Sequence, residues 1–345
     1  MIKVAVCQWF PPTLWCQGGG EIHAKQYIRY LNKLEGVEAF RFCPLTEQDY
    51  NILHIIGTNY HLNEIGKYAR LADKKVVITP IVYNPRHPYQ YRLYNALFNA
   101  FGIETLINTR KEMLENSDII LANTLVEKTF IQKAFGIESK QIDVVGVGVA
   151  VNDYKDIDDS IFREKYGLNE YVLSVGRVTP LKRQLDILDA ARSAGVPLVL
   201  IGPPDQDNQE YLLKVEEGLK ESRGVWIRGL KHNSPELLSA YKGSLCHVLF
   251  STSETAGLVN LEAIGAGTIV VTCPHKTVKE IIHNHGVYVN STDDLKSKIN
   301  MIAGLSSGER ERHINKAREY VIRNHSWEKV AKETMEVYKR LQATT

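Results

Sequence analysis

Short runs of β-branched and aliphatic residues alternate with longer segments of helical apolar spacing along the whole chain of 345 residues. This alternation predicts parallel sheets covered by helices. We expect strands at 3–7, 52–56, 75–79, 119–122 and 141–145, and again at 171–175, 197–201, 225–228, 246–250, 269–272 and 286–289. The pattern therefore predicts an α/β protein with two doubly wound, Rossmann-like domains that face a central cleft.

The segment 151–160, VNDYKDIDDS, is polar and acidic and has no apolar period, which is typical of an interdomain linker. We predict an N-terminal domain over 1–155 and a C-terminal domain over 156–326. Closure of the two domains about this linker would exclude water from a reaction.

The last segment, 327–345, has one apolar helical face, with Ser326 as a plausible N-cap. The residues on that face are Trp327, Val330, Ala331, Tyr338 and Leu341. We expect this closing helix to pack back on the N-terminal domain.

Apolar residues make up 44% of the chain and charged residues 24%, which is the balance of an ordinary folded protein. The 42 Lys and Arg against 40 Asp and Glu give a net charge of +2. So small a surplus argues against a nucleic-acid partner.

The five cysteines are widely spaced and form no C-x-x-C pair, which favours neither a disulfide framework nor a zinc site. We therefore expect a cytoplasmic location. No run approaches the roughly 18 apolar residues of a membrane span, so any membrane contact is expected to be peripheral.

The segment GRVTPLK follows a predicted strand that ends near Val175. Gly176 permits a tight turn, and Pro180 suits the first helical position, so we expect a helix to begin right after Arg177. Arg177 and Lys182 would then lie beside free helix N–H groups, an arrangement that receives a diphosphate. The alternative is that both side chains lie on a solvated helix face.

A second strand, near 247–250, runs into SETAGLVNLEAIGAG. Gly257 is expected to open a helix, leaving its own N–H and those of Leu258 and Val259 for an anion. Glu254 in the loop and Glu262 on the helix would lie at one mouth and accept from sugar hydroxyls. Alternatively, Glu254 only complements the helix dipole and Glu262 is a surface residue.

Gly265 and Gly267 are expected to end this helix in either case.

Near the N-terminus, the sequence predicts a flexible loop at Gly18, Gly19 and Gly20. This loop would lead into a helix and would let the backbone approach a substrate closely. That helix is expected to turn Ile22, Tyr27, Ile28 and Leu31 inward.

Four segments in this order, GGGEIH, DIILANTLVEKTFIQKAFG before GVGV, GRVTPLK and the E-x7-E run from Glu254 to Glu262, together resemble retaining glycosyltransferases of family 4. The resemblance covers nearly the whole chain and implies the GT-B fold. It also implies transfer from a nucleotide-diphosphate sugar to a hydroxyl acceptor, a glycan, a lipid-linked glycan or a small molecule, with retention of configuration. The resemblance further implies a front-face route, in which the leaving phosphate helps to deprotonate the acceptor hydroxyl. Such a route needs no enzyme nucleophile.

The resemblance implies a role for each matching position. Arg177 and Lys182 would hold the donor diphosphate, Glu262 the ribose and Glu254 the donor sugar. Gly19 and Gly20 would shape the acceptor and diphosphate side. The backbone at 176 and 257–259 would complete the donor site.

The sequence departs from the family pattern at two places. Where the family has a T-x-H sequence after the third strand, this chain has Thr79, Pro80 and Ile81. His54, His61 and His87 are possible substitutes, each of which could instead be a surface or core residue. Ala256 stands where the family commonly has an aromatic residue, which leaves more room near the donor.

Two D-x-D pairs, Asp156 with Asp158 and Asp205 with Asp207, could bind a hard cation or could be ordinary polar turns. His283 and His285 lack an evident third ligand. Because Arg177 and Lys182 can neutralise a diphosphate, we expect no obligatory metal and no other cofactor.

The segment 83–102 interleaves Arg86, His87 and Arg92 with aromatic residues at helical spacing. Such a helix could bind the cytoplasmic membrane face near a lipid-linked acceptor, or it could pack its aromatic face on the domain core.

Two alternatives to a transferase remain from the sequence: a nucleotide-sugar epimerase or phosphorylase of the same architecture, and a non-catalytic nucleotide-sugar-binding protein.

Overall fold

The computed structural model describes residues 1–8, 19–84, 87–154 and 156–343, and strands alternate with helices along it. The strands β1 to β12 are Ile2–Cys7, Val37–Arg41, Ile52–Ile56, Lys75–Thr79, Ile119–Ala122, Ile142–Val144, Val172–Val175, Leu198–Ile201, Val225–Ile227, Cys246–Leu249, Val270–Thr272 and Val287–Tyr288. The helices α1 to α14 are Gly19–Leu31, Tyr60–Leu71, Pro88–Ala100, Leu106–Glu115, Leu125–Phe135, Ser160–Tyr166, Gln184–Ser193, Gln209–Glu221, Pro235–Lys242, Leu258–Ala266, Lys276–Ile282, Thr292–Ala303, Ser307–Asn324 and Trp327–Ala343. Short 3₁₀ turns lie at Ser139–Gln141, Val151–Tyr154, Pro180–Lys182 and Gln206–Asn208.

The chain divides into two compact units. The first unit comprises Met1–Gly148 with Trp327–Thr345, and the second unit comprises Val149–Ser326. The chain thus passes from the first unit to the second slightly before residue 155, and its last helix belongs to the first unit.

The first unit contains a six-stranded parallel sheet in the order β2-β1-β3-β4-β5-β6. The chain leaves β1 toward one edge and returns to β3 on the other side, so the topological switch point lies between β1 and β3. The predicted strands of this half agree with the observed ones to within a residue at each end. Strand β2 was missed because it is a short edge strand in which buried and exposed residues alternate.

Helix α14 packs on α1, and the five residues of its predicted apolar face are buried. The Trp327 ring contacts the rings of His23, Tyr27 and Tyr30. Further along, the Tyr338 hydroxyl lies 2.6 Å from Nδ1 of His54 in β3. The closing helix is therefore joined to the sheet by polar as well as apolar contacts.

The second unit contains a six-stranded parallel sheet in the order β12-β11-β10-β7-β8-β9. The chain moves from β7 to β8 and β9, then crosses back to β10, so this switch point lies between β7 and β10. Ligands of open α/β sheets bind at such a point, outside the carboxyl ends of the strands. The loops after β7 and β10 are thus the first place to look for a site.

The segment 151–160 begins as part of the second unit rather than as an open linker. Val151 and Tyr154 are buried in its 3₁₀ turn. A Cβ added to Gly265 would lie 2.7 Å from the Tyr154 ring, so that ring packs directly on the α10 backbone. In the described part of this segment, the buried Val151 and Tyr154 are separated in sequence by polar residues, which gives the segment its linker-like pattern.

Candidate functional site

The loop after β7 turns at Gly176, whose φ of +143° suits glycine. Pro180 opens a 3₁₀ turn that ends at Lys182, and Arg183 then adopts a left-handed conformation before α7 begins at Gln184. The expectation of a helix right after Arg177 is therefore wrong. The left-handed residue separates the turn from the helix, so Lys182 lies in the turn and not in the first turn of α7.

Lys182 forms an ion pair with Glu254, which lies in the loop after β10. The Lys182 side chain is 27% exposed and that of Glu254 is 10% exposed, so the pair is mostly shielded from water. The backbone reinforces it, because the Thr252 N–H donates to the Leu181 carbonyl at 2.9 Å. The structure therefore brings together two predicted site residues from the two loops at the switch point.

His247 in β10 interacts electrostatically with Lys182 and was not identified from the sequence. It is fully buried in β10, and the Val175 N–H at the end of β7 donates to its Nε2 at 3.3 Å. Burial, with a contribution from Lys182, lowers the pKa of His247 to about 3. The imidazole is therefore neutral at physiological pH. Nothing in the local sequence distinguishes this histidine, inside an apolar strand, from an ordinary core residue.

Gly257 is the N-cap of α10 with a φ of +61°, as expected for a residue that opens this helix. Because glycine has no side chain that could cap the helix, the N–H groups of Leu258 and Val259 have no hydrogen-bond partner in the described part of the chain. These donors are suited to an anion. Gly267 ends the helix in a left-handed conformation, whereas Gly265 lies within α10, under the Tyr154 ring, and does not end it.

Glu262 projects from α10 and is held by two donors. His232 Nε2 lies 3.1 Å from one carboxylate oxygen, and the Tyr241 hydroxyl lies 3.1 Å from the other. Tyr241 is fully buried, and burial raises its pKa well above the ordinary value, so its hydroxyl stays protonated. Glu254 and Glu262 thus have separate partners, and sequence reasoning missed both donors to Glu262.

Arg177 is exposed, and only its backbone is anchored: the Gln184 side-chain amide donates to the Arg177 carbonyl at 2.9 Å. Within the described ranges its guanidinium forms no ion pair. The structure therefore leaves this cation available to a ligand beside the paired Lys182.

Gly19 and Gly20 lie in the first turn of α1 and not in a flexible loop, while Gly18 lies outside the described residues. A Cβ on Gly20 would meet nothing within 4 Å. Of the residues expected to face inward, Tyr27 and Leu31 are buried, and Ile22 and Ile28 are only partly so. Gly19 and Gly20 belong to the helix that follows them, which corrects the loop expectation for these two residues.

The three histidines considered as substitutes lie in different surroundings. His54 is fully buried in β3, between Tyr338 and the Thr79 hydroxyl at 2.9 Å, and burial lowers its pKa to about 3. His61 is exposed on α2, and His87 is the exposed N-cap of α3. His54 is thus a core residue, whereas His61 and His87 lie at the surface of the first unit.

The D-x-D pairs act in local turns. Asp158 accepts from the Ser160 N–H at 2.9 Å, and Asp205 accepts from the Asn208 side chain at 2.8 Å. Among the residues that the structure describes, no three His, Cys, Asp or Glu side chains are grouped to hold a metal ion. His285 instead stacks on Tyr320.

Helix α3 packs on the first unit only through a narrow face. Tyr91 contacts the rings of Phe130 and Phe135, and no residue of the helix is fully buried. Its outer side exposes Arg92 and a set of large apolar residues. That set, together with two residues that follow the helix, is Tyr89, Leu93, Tyr94, Leu97, Phe101 and Ile103. We call these six residues the α3 patch; Arg86 lies outside the described residues.

Two parallel, doubly wound sheets with a charged site at the switch point of the second define the chain as a GT-B protein. The family model for glycosyl transferases group 1 matches residues 157–333, which is most of the second unit and just over half of the chain. The chain belongs to this family.

Among curated proteins, the chain is 31% identical over 175 residues to a D-inositol 3-phosphate glycosyltransferase of Rhodococcus erythropolis, covering 47% of this chain and 39% of that protein. It is 26% identical over 305 residues to the Mycobacterium tuberculosis (strain F11) protein of the same name, covering 84% and 62%. The chain thus spans less than two thirds of the length of either relative.

Solved structures match over the whole chain at low identity. Sucrose-phosphate synthase of Thermosynechococcus elongatus has a TM-score of 0.77 at 19% identity and is covered completely, as is this chain. Anabaena HepE in complex with UDP and glucose has a TM-score of 0.72 at 18% identity, covering 99% of this chain and 100% of HepE. These likenesses establish the fold.

Among the described helices, none is long and apolar enough to cross a bilayer.

Proposed function

We propose that the protein is a retaining glycosyltransferase that moves a sugar, of the hexose type, from a nucleotide-diphosphate sugar to a hydroxyl acceptor. The observation that carries the proposal is the pairing of Lys182 with Glu254 across the two loops at the switch point. It assembles a cation, a carboxylate and the free N–H groups of α10 at one edge of one sheet. Family membership supports the same reaction class.

In this proposal Lys182 and Arg177 stabilise the diphosphate as the glycosidic bond breaks. Preorganised cations and helix N–H groups are worth most where charge develops in the transition state. Lys182 exchanges Glu254 for the diphosphate, which releases the Glu254 carboxylate toward hydroxyls of the donor sugar. Glu262 accepts from the ribose. The leaving phosphate takes the proton of the acceptor hydroxyl on the same face, so configuration is retained.

We propose that no metal is obligatory, because Arg177 and Lys182 could together neutralise the diphosphate. The Anabaena HepE structures hold UDP, which makes uridine diphosphate sugars the first donors to examine. Gly19 and Gly20, in the first turn of the helix after β1, belong to the acceptor and diphosphate side in this scheme.

A donor-turnover assay tests this function. Nucleoside diphosphate release from UDP-, GDP- and ADP-sugars should depend on an acceptor and should persist in excess chelator. NMR of the product should show the anomeric configuration of the donor. Donor conversion without acceptor would instead indicate an epimerase, and tight donor binding without transfer would indicate a binding protein. Abolition by chelator with rescue by Mn²⁺ would contradict metal independence.

For the acceptor, we infer a lipid-linked glycan or surface carbohydrate reached at the cytoplasmic membrane face. The supporting observation is the α3 patch, whose exposed rings and aliphatic side chains accompany the exposed cation Arg92. Rings at headgroup level with nearby basic groups suit an anionic lipid surface.

Vesicle co-sedimentation tests the membrane contact. Leu93→Glu with Leu97→Glu should reduce binding to phosphatidylserine vesicles several-fold, whereas Leu213→Glu, at a similarly exposed leucine of the second unit, should not. Equal recovery of wild type and double variant would exclude the membrane. A soluble acceptor, such as the phosphorylated inositol in the relatives' names, would then be examined.

A further inference from the structure

Helix α9 brings two hydrogen-bond donors to the same carboxylate. His232 lies just before the helix, and Tyr241 lies near its end. Each reaches a different oxygen of Glu262, at 3.1 Å in both cases. A single donor would leave the carboxylate free to rotate about its terminal torsion, which is broad for Glu. Two donors on separate oxygens fix its plane.

The His232 end of this clamp is itself anchored. Asn233, the next residue, has a φ of +56°, a conformation that Asn tolerates better than most residues. Its side-chain oxygen accepts from the hydroxyl of buried Tyr154 at 3.2 Å. Ser234 then caps α9 by accepting from the Leu237 N–H at 3.3 Å. The His232 backbone is therefore constrained on its carboxyl side.

The donor count defines what Glu262 can still bind. An ionised carboxylate offers about four acceptor positions, and His232 and Tyr241 use two of them. The Glu262 carboxylate has no other hydrogen bond with a described residue, and the side chain is 11% exposed. Two acceptor positions in a fixed plane match the two hydroxyls of a vicinal diol.

We propose that His232 is a positioning residue that, with Tyr241, orients Glu262 to recognise the ribose diol of the donor nucleotide. This inference rests on the proposed function of Glu262 in donor binding. It assigns His232 a part in the choice of ribonucleotides over deoxyribonucleotides without a contact between His232 and the nucleotide. A glutamine at this position, whose side-chain N–H₂ can also donate to the carboxylate, should serve nearly as well.

Calorimetric titration of UDP, GDP and ADP and their 2′-deoxy forms tests the proposal. The readout is the ratio of the two dissociation constants for whichever base binds. His232→Ala should lower the ribose preference about three- to tenfold, in line with one lost hydrogen bond. His232→Gln should restore most of it, and His313→Ala, at an exposed histidine of the same unit, should leave it unchanged. Tyr241→Phe should act like His232→Ala.

The outcomes separate this inference from the function beneath it. A wild-type ratio in His232→Ala, alongside a lost preference in Glu262→Ala, would overturn the role of His232 alone. A wild-type ratio in Glu262→Ala would overturn the ribose role of Glu262 and this inference with it. If His232→Gln behaves like His232→Ala, the residue supports local structure and does not orient the carboxylate.

Discussion

The two units place their polar side chains differently, although both contain six-stranded parallel sheets with a switch point beside the first strand. In the second unit, Lys182 pairs with Glu254, and Glu262 is held by two donors. In the first unit, the buried His54 is hydrogen-bonded inside the core, and an exposed feature is the apolar α3 patch. Under the proposed function, donor binding belongs to the second unit and acceptor contact to the first.

The largest effect should come from Lys182 and Arg177. Lys182→Ala or Arg177→Ala should raise the barrier by about 1.5 to 3 kcal/mol, because each removes a charge-assisted contact to the diphosphate. The measurement is kcat/KM at subsaturating donor, with a loss of roughly ten- to a hundredfold. Lys296→Ala is the control, since Lys296 also pairs with an acid, Asp189, and is 32% exposed. Wild-type turnover in both site variants would remove the diphosphate assignment.

Acid should destabilise the fold through buried histidines. Burial lowers the pKa of His54 to about 3 and that of His23 to about 4, both in the first unit, below the ordinary 6.5. These histidines are therefore protonated in the unfolded chain but not in the native protein at mildly acidic pH. The free energy of unfolding falls as the pH drops below 6.5. Each such histidine should cost about 2 kcal/mol at pH 5 relative to pH 7 or above.

Urea unfolding at pH 5 and pH 7 measures this loss. In His54→Gln the difference between the two pH values should shrink by about 2 kcal/mol. In His313→Gln, at an exposed position, it should stay as in wild type. An unchanged difference in His54→Gln would show that His54 does not carry the acid sensitivity.

Tyr338→Phe should separate the stability of the first unit from the function of the second. The change removes the hydroxyl 2.6 Å from His54 Nδ1 and leaves that buried nitrogen unsatisfied, at a cost of about 1 to 2 kcal/mol. Thermal unfolding should shift downward, while nucleoside diphosphate affinity in the folded protein should not change. Weaker nucleoside diphosphate binding at a temperature where the variant is fully folded would contradict the claim that Tyr338 affects stability alone.

The smallest expected effect has an unusual sign. Glu254→Gln should free Lys182 from its ion pair, so that UDP or another nucleoside diphosphate binds about two- to fivefold more tightly, as for a pair worth up to about 1 kcal/mol. Transfer should nevertheless slow, because the sugar loses its carboxylate partner. Titration and kcat measured on the same variant test both halves. Weaker binding would mean that Glu254 contacts the nucleoside diphosphate directly.

The sequence revealed most where apolar runs and glycines act locally. The strands, the αL cap at Gly257 and the apolar face of the last helix follow from neighbouring residues alone. Edge strand β2 was missed because only two of its five residues are buried. The 3₁₀ turn before α7 depends on the left-handed Arg183, which propensity does not indicate.

The site was predictable as a set of residues but not as a set of contacts. Lys182 and Glu254 are separated by 72 positions, and nothing in their local sequence indicates that they pair. Tyr241 reaches Glu262 from α9, and His232 reaches it from the residues just before α9, so their role depends on the packing of α9 against α10. Long-range geometry of this kind arises from the fold as a whole.

Thermal unfolding with and without nucleoside diphosphates tests most directly the claim that the second unit holds the donor. At least one of UDP, GDP and ADP should raise the unfolding temperature of the wild type, because a ligand that binds only the native state stabilises it by mass action. The Lys182→Ala, Glu262→Ala double variant should lose that rise, whereas Leu93→Glu, Leu97→Glu in the first unit should keep it. A rise that survives in the first double variant would contradict the account, as would no rise with any of the three nucleotides.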